Sequence, residues 1–256
     1  MNNEIIVLSQ PAEVDMADDW YDIASLDHFW IKARFNSVLK AICIYNLNNA
    51  KLLEIGCGHG LVIKQFEALK NVVVDGCDLN MFALSKVGKI RGNLYSLDIF
   101  DNPPELLNQY DGIVLLDVIE HIDEDSRFLK ESCKYLKEDG FVIINVPALN
   151  SLFSKYDKVV GHKRRYTIRM LEELFDRNGI EKIRIEYWGF FMIPIAILRK
   201  FILFFTENSI IVKRGFTPPS NTINWILTKI GLIENFLLKS PPLGTSVVAI
   251  GRYKGN

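Results

Sequence analysis

The chain has 256 residues, 49% of them hydrophobic, and a formal net charge of −1. That is length enough for a buried core in one large α/β domain, without the positive field a nucleic-acid partner requires. Its four cysteines (Cys43, Cys57, Cys77, Cys133) form no C-x-x-C pair, and residues 1–10 lack a basic segment followed by a long apolar core; reduced thiols, no signal peptide and a cytoplasmic location are expected.

Residues 1–19 are polar and read as an irregular arm. From Trp20 to Tyr45, Phe29, Trp30, Phe35, Val38, Leu39 and Ile42 recur at helical spacing, which predicts one or two helices ahead of the fold. Strands follow near 51–55, 72–77, 93–96, 110–116, 140–146, 180–188 and 245–252. Helices near 61–70, 80–89, 124–137 and 167–178 separate them. This alternation predicts an α/β fold, a Rossmann-like doubly wound sheet of seven mostly parallel strands with helices on both faces.

A long excursion, residues 189–242, precedes the last strand. Its apolar run from Phe190 to Phe205 is broken by Pro194 and by Arg199-Lys200, so it is too interrupted to span a bilayer. Two readings remain: a cap over the fold's ligand pocket, which we adopt, or an apolar face giving peripheral membrane contact. A second apolar helix near 222–238 is expected to pair with the first and bury both. Three units result: an arm with helices over 1–45, the α/β domain over 46–188 and 243–256, and the helical insertion over 189–242.

The most informative segment runs from Lys51 to Leu61. An apolar strand carrying Glu54 meets Gly56, Gly58 and Gly60 on alternate positions, then opens a helix from Leu61 to Lys70. Glycine there lets the backbone approach a ligand closely. A second apolar run ends in Asp78, an acid about 20 residues after the first glycine, where a doubly wound fold places its ribose acceptor. An adenosine-containing cofactor is therefore expected. A dinucleotide is disfavoured: Leu61 stands where the third glycine of G-x-G-x-x-G belongs, and Glu54 would repel a diphosphate while suiting a cationic amine.

Glu54 to Gly60 resembles motif I of the class I S-adenosylmethionine-dependent methyltransferases. The resemblance covers about residues 20–188 and 243–252, and implies that the last strand enters the sheet antiparallel. It also implies S-adenosylmethionine as cofactor, with Asp78 on the ribose hydroxyls, Asp98 on the adenine amino group and Leu116 packed beside the methionine portion. Phe29 to Phe35 resembles the aromatic-plus-arginine segment that ubiquinone-pathway O-methyltransferases fold over the cofactor. Arg34 would then pair with the methionine carboxylate.

Two further clusters carry chemistry. Asp117, Glu120 and His121 stand at a strand-to-helix transition, where positions i, i+3 and i+4 converge. They resemble the E-x-x-E-H element of ubiquinone-pathway and small-RNA O-methyltransferases, with Asp117 in place of the first Glu. The resemblance implies a divalent metal, Mg²⁺ or Zn²⁺, on Asp117, Glu120, His121 and a fourth ligand, His162. The reading adopted is a catalytic one, with His121 and His162 as the proton-handling residues; the metal and a structural helix cap are its rivals. The stretch from Val146 to Thr167 resembles a subset of small-molecule methyltransferases acting in glycan, lipid and natural-product pathways. Its cationic segment, with Lys163, Arg164 and Arg165 followed by Tyr166, is expected to meet a carboxylate or phosphate of the acceptor, or else to form a solvated basic turn.

The function expected is methyl transfer to an oxygen of a small or lipid-linked acceptor. The alternatives are N- or C-methylation, and a catalytically silent methyltransferase fold serving as a binding subunit.

Overall fold

The computed structural model describes residues 3–12, 19–69, 71–217 and 220–255. Eight strands, β1 (Ile5–Val7), β2 (Lys51–Ile55), β3 (Val73–Asp78), β4 (Leu94–Ser96), β5 (Tyr110–Leu116), β6 (Leu136–Pro147), β7 (Ile180–Trp188) and β8 (Ser246–Tyr253), form one sheet in the order β1-β4-β3-β2-β5-β6-β8-β7. Neighbours from β1 to β6 run parallel. The last strand, β8, lies antiparallel between β6 and β7. The chain leaves β2 for β3 and β4 on one side, then returns to β5 on the other. That reversal opens a crevice at the carboxyl ends of β2 and β5, where open α/β sheets bind ligands.

The helices are α1 (Asp19–Ile23), α2 (Phe29–Ile42), α3 (Leu61–Glu67), α4 (Met81–Ser85), α5 (Asp125–Cys133), α6 (Lys155–Val159), α7 (Ile168–Arg177), α8 (Ile193–Phe204), α9 (Asn208–Phe216) and α10 (Asn221–Leu237). Strand periodicity sorts the core into two layers. Leu52, Val114, Ile143 and Val248 pack with Val38 and Ile42 of α2 and Phe66 of α3. Their strand neighbours Leu53, Ile113, Ile144 and Ala249 pack with Leu129 of α5 and Phe175 of α7 on the other face.

Three expectations are corrected. The sheet gains an eighth strand from the supposed arm: Ile5, Ile6 and Val7 pair in parallel with Leu94, Tyr95 and Ser96, because the open edge of β4 offers partners to a β-branched run. Residues 1–2 and 13–18 of that arm lie outside the described residues, as do Lys70 and the Pro218-Pro219 pair. The helix expected over 124–137 stops at Cys133, since Leu136 already pairs with Tyr110 in the sheet. Finally, the insertion holds three helices, and its two longest do not hide each other's apolar faces. On α8, Phe201 and Phe204 are 65% and 71% exposed; on α10, Trp225 and Phe236 are 61% and 87% exposed. Gly231 of α10 sits close on Ala33 of α2, and α8 is pinned to the segment before α6 by Lys200, which donates to the Ser151 carbonyl.

Candidate active site

The glycine loop leaves β2 with a left-handed backbone, φ being +74° at Gly56 and +52° at Gly58. A Cβ on Gly56 would lie 2.8 Å from Val118, so any side chain there would collide with the loop after β5. The loop is latched to β3 by the Gly56 and Cys57 amides, which donate to the Cys77 carbonyl. Tyr21 of α1 lies against Gly58 from above.

Asp78 completes this cradle. Its carboxylate accepts from the Gly58 amide (2.8 Å) and the Asn80 amide (2.9 Å). It does not cap α4; Asn80 does, accepting from Ala83. Burial raises the Asp78 pKa, and the Asn80 and Gly58 amides oppose that rise. Asp98 is half-buried after β4 and caps a short 3-10 turn, Ile99–Asp101, by accepting from Phe100. Leu116 is 6% exposed and shares a core with Ala33 of α2 and Cys57 of the loop.

Glu54 is 3% exposed and its Oε2 is buried without a hydrogen-bond partner. Burial drives its pKa up to about 8, although the Arg34 guanidinium beside it pulls the other way. Arg34 itself is 4% exposed and donates to Asp117 at 2.6 Å. Asp117, in a left-handed conformation with φ +60°, also accepts from the Asn145 amide at 2.7 Å. Asn145 in turn accepts from the Trp188 indole at 2.8 Å. This chain ties α2, β5, β6 and β7 together beneath the crevice. Asp117 is thereby engaged with Arg34 and Asn145, and it stands apart from the metal-competent group it was expected to join.

That group, among the described residues, is Glu120, His121 and His162, whose ligand atoms lie within 4.8 Å of one another. Glu120 is fully buried with both carboxyl oxygens unpartnered by hydrogen bonds. Burial and then the Asp117 charge push its pKa well above the carboxylate range. The rings of His121 and His162 meet edge to face, centroids 4.8 Å apart. His162 arrives from a distant loop because backbone bonds stitch that loop down: the Lys163 amide donates to the Glu120 carbonyl, and the His162 amide to that of Asp157.

Asp157 is a site residue that sequence reasoning passed over. It is fully buried and accepts from His162 Nδ1 at 3.0 Å, from Arg165 at 2.9 Å and from the Ser154 hydroxyl at 2.7 Å. Burial alone would raise its pKa; His162 and Arg165 outweigh that and hold it well below the ordinary range. The i, i+5 spacing across a helix end gave no periodic signal for the pair. The expected acceptor contacts need revision for the same reason. Arg165 is spent on Asp157 and the Ala148 carbonyl. Arg164 is spent on Asp125 and the Asp123 carbonyl. Tyr166 is 1% exposed with its hydroxyl on Asp125 and the Ile119 carbonyl. These three anchor the loop that delivers His162.

A family model described as a methyltransferase domain matches residues 28–185. The chain belongs to the class I S-adenosylmethionine-dependent methyltransferases. It is 34% identical over 115 residues to a ubiquinone biosynthesis O-methyltransferase of Pelagibacter ubique, covering 43% of this chain and 46% of that protein. The match spans between 34% and 65% of the length of such curated relatives. The methyltransferase fold recurs in phosphoethanolamine N-methyltransferase 2 of Haemonchus contortus, solved with S-adenosyl-L-methionine (TM-score 0.57, 17% identity, 87% of this chain and 53% of that one). It also recurs in a Haloferax volcanii complex of the Trm112 methyltransferase activator with a putative methyltransferase (TM-score 0.62, 13% identity, 95% and 100% covered).

The residues present fit the cofactor of the family, S-adenosylmethionine. Unpartnered Oε2 of Glu54 suits an ammonium, Asp78 offers a carboxylate to a diol, and the glycines leave the backbone bare between them. No helix among the described residues is long and apolar enough to cross a membrane.

Proposed function

We propose that this methyltransferase acts on an oxygen of a small or lipid-linked acceptor. The observation that carries this reading is the Asp157–His162–Glu120–His121 cluster at the carboxyl end of β5, beside the glycine loop. An amine or carbon nucleophile needs little help with a proton, whereas a hydroxyl must lose one as it attacks. With Asp157 accepting from Nδ1–H, the Nε2 lone pair of His162 is left to take that proton, and the carboxylate stabilises the imidazolium that forms.

When bound, S-adenosylmethionine supplies an electrophilic methyl on a sulfonium that leaves as a neutral thioether. Glu54 would hold the methionine ammonium, Asp78 the ribose hydroxyls and Asp98 the adenine amino group. Arg34, through Asp117, keeps the floor of the crevice in place. Most of the remaining acceleration comes from holding the acceptor in line.

The buried carboxyl oxygens of Glu120, which have no hydrogen-bond partner and lie 3.9 Å from His162 Nε2 at their nearest, favour a second role for the same cluster. Glu120, His121 and His162 would hold a divalent cation, Zn²⁺ or Mg²⁺, that lowers the pKa of the acceptor hydroxyl. The carboxylate–histidine pair Asp157–His162 is the usual outer support of such a ligand.

The test is product analysis with methyl-labelled S-adenosylmethionine and catechol or phenol acceptors, with and without an isoprenoid tail. Label on oxygen is expected. Transfer only to nitrogen or carbon acceptors would reject the reading.

A further inference from the structure

The α8 helix is amphipathic but turned inside out. Of its twelve residues only Leu203 is buried. Ile197, Leu198, Phe201 and Phe204 form one stripe at positions i, i+1, i+4 and i+7, and are 55%, 59%, 65% and 71% exposed. Its inward side is fixed by polar contacts: Arg199 lies 4.1 Å over the Tyr156 ring, and Lys200 donates to the Ser151 carbonyl at 2.6 Å. The apolar stripe is therefore held outward by the fold.

Next to the stripe is a cavity of about 560 Å³, lined by Phe153, Ser154, Lys155, Lys158, Lys200 and Phe204. Lys155, Lys158 and Lys200 thus border a hollow whose rim is an exposed phenylalanine; Lys155 and Lys200 donate to the Thr206 and Ser151 carbonyls, and Lys158 is exposed. The acid between Lys155 and Lys158, Asp157, is buried and committed to His162 and Arg165. Residues 189–242 as a whole hold six Lys or Arg against two Asp or Glu, in a chain whose net charge is −1. One of those acids, Glu234, is buried on the Gly189 and Phe191 amides. On α10 the pattern repeats, with exposed Trp225 beneath Lys229.

We propose that this face docks on an anionic phospholipid bilayer. The phenylalanines of α8 enter the acyl boundary, and the lysine-lined cavity takes a headgroup phosphate. Stable peripheral docking needs an apolar and a cationic signal together, and both are here within one helix turn. A second copy of the chain is a poorer occupant, since a self-complementary pairing would set one lysine cavity against another. The docking does not depend on which acceptor atom is methylated.

Co-sedimentation of the full chain with vesicles of equal phosphatidylglycerol and phosphatidylcholine, and of phosphatidylcholine alone, tests it. Binding to the anionic vesicles at least about tenfold tighter is expected, given about fivefold per lysine near an anionic surface. The double variant Phe201→Ser, Phe204→Ser and the single variant Lys158→Glu should each weaken that binding severalfold or more, with melting temperature and S-adenosylhomocysteine affinity unchanged. No sedimentation, equal binding to both vesicles, or binding indifferent to both variants would overturn the proposal. So would a dimer in light scattering that the phenylalanine variant dissolves while vesicles leave the protein in solution. Inorganic phosphate bound in the cavity without vesicle binding would do the same.

Discussion

Replacing Glu54 by Gln should make the ligand-free protein more stable above neutral pH and its cofactor binding weaker. The folded protein holds the Glu54 proton with a pKa of about 8, against 4.5 for the ordinary side chain. Native stability is therefore undiminished below about pH 4.5 and declines as pH rises from there to about 8, because the unfolded chain releases this proton first. At pH 7 the 2.5-unit gap from 4.5 corresponds to roughly 3 kcal/mol, at about 1.4 kcal/mol per unit. Glutamine removes the titration and so recovers up to that amount at pH 7, and almost nothing at pH 4.5. Cofactor binding moves the other way. An ammonium on Oε2 requires the ionised acid, so affinity should climb up to about tenfold per pH unit from about 6 to 8 and then level off. The variant should lose that slope and bind about 10- to 100-fold more weakly at pH 8, for one charge-assisted hydrogen bond. Urea unfolding at pH 4.5 and 8, with calorimetric titration of S-adenosylhomocysteine over the same range, reads both effects. A variant less stable at pH 8, or one that keeps the full slope, would show that Arg34 already satisfies an ionised Glu54. Slope remaining in part would belong to Asp78 and Glu120, whose pKa values are also raised by burial.

Four other outcomes are expected. Asp78→Ala should cost roughly 2–4 kcal/mol in cofactor binding, the loss of two hydrogen bonds to a charged acceptor; calorimetry showing undiminished affinity would remove Asp78 from the site. His162→Ala should lower turnover at least about tenfold, and Asp157→Asn by a smaller factor with cofactor affinity unchanged in both; equal losses of affinity and melting temperature would make the pair structural. Chelation followed by added Zn²⁺ or Mg²⁺ separates the two roles of the cluster, since only a metal site loses turnover and regains it, and His121→Ala should then abolish metal uptake measured by mass spectrometry. Gly56→Ala should destabilise the fold through both positive φ and the 2.8 Å approach to Val118; Val118→Ala should restore part of that loss in thermal melts, and full restoration would mean the backbone strain costs nothing.

The doubly wound sheet, the glycine loop and the position of Asp78 against that loop were legible in the residues themselves, because strand alternation, glycine at left-handed positions and an acid closing the next strand are local features of the chain. The Glu120–His121 pair was legible for the same reason, since the two are consecutive in the chain, whereas Asp117, three and four positions before them, turns to Arg34 and Asn145 instead. The roles of distant residues were not. Arg34 and Asp117 are 83 positions apart and meet only because α2 packs on the sheet against β6, β7 and β8, which carries Arg34 to the residue that follows β5. His162 joins Glu120 through a loop held by Arg164, Arg165 and Tyr166, residues that in the sequence read equally well as acceptor contacts. Exposure of α8 was likewise undecidable from its composition. An apolar stripe is the same string of residues whether it faces a core or a lipid surface, and only the packing of Arg199 on Tyr156 and of Lys200 on Ser151 turns it outward. Local geometry is written in neighbouring residues, whereas the partner of a buried charge is chosen by whichever group the folded chain brings within a few ångströms.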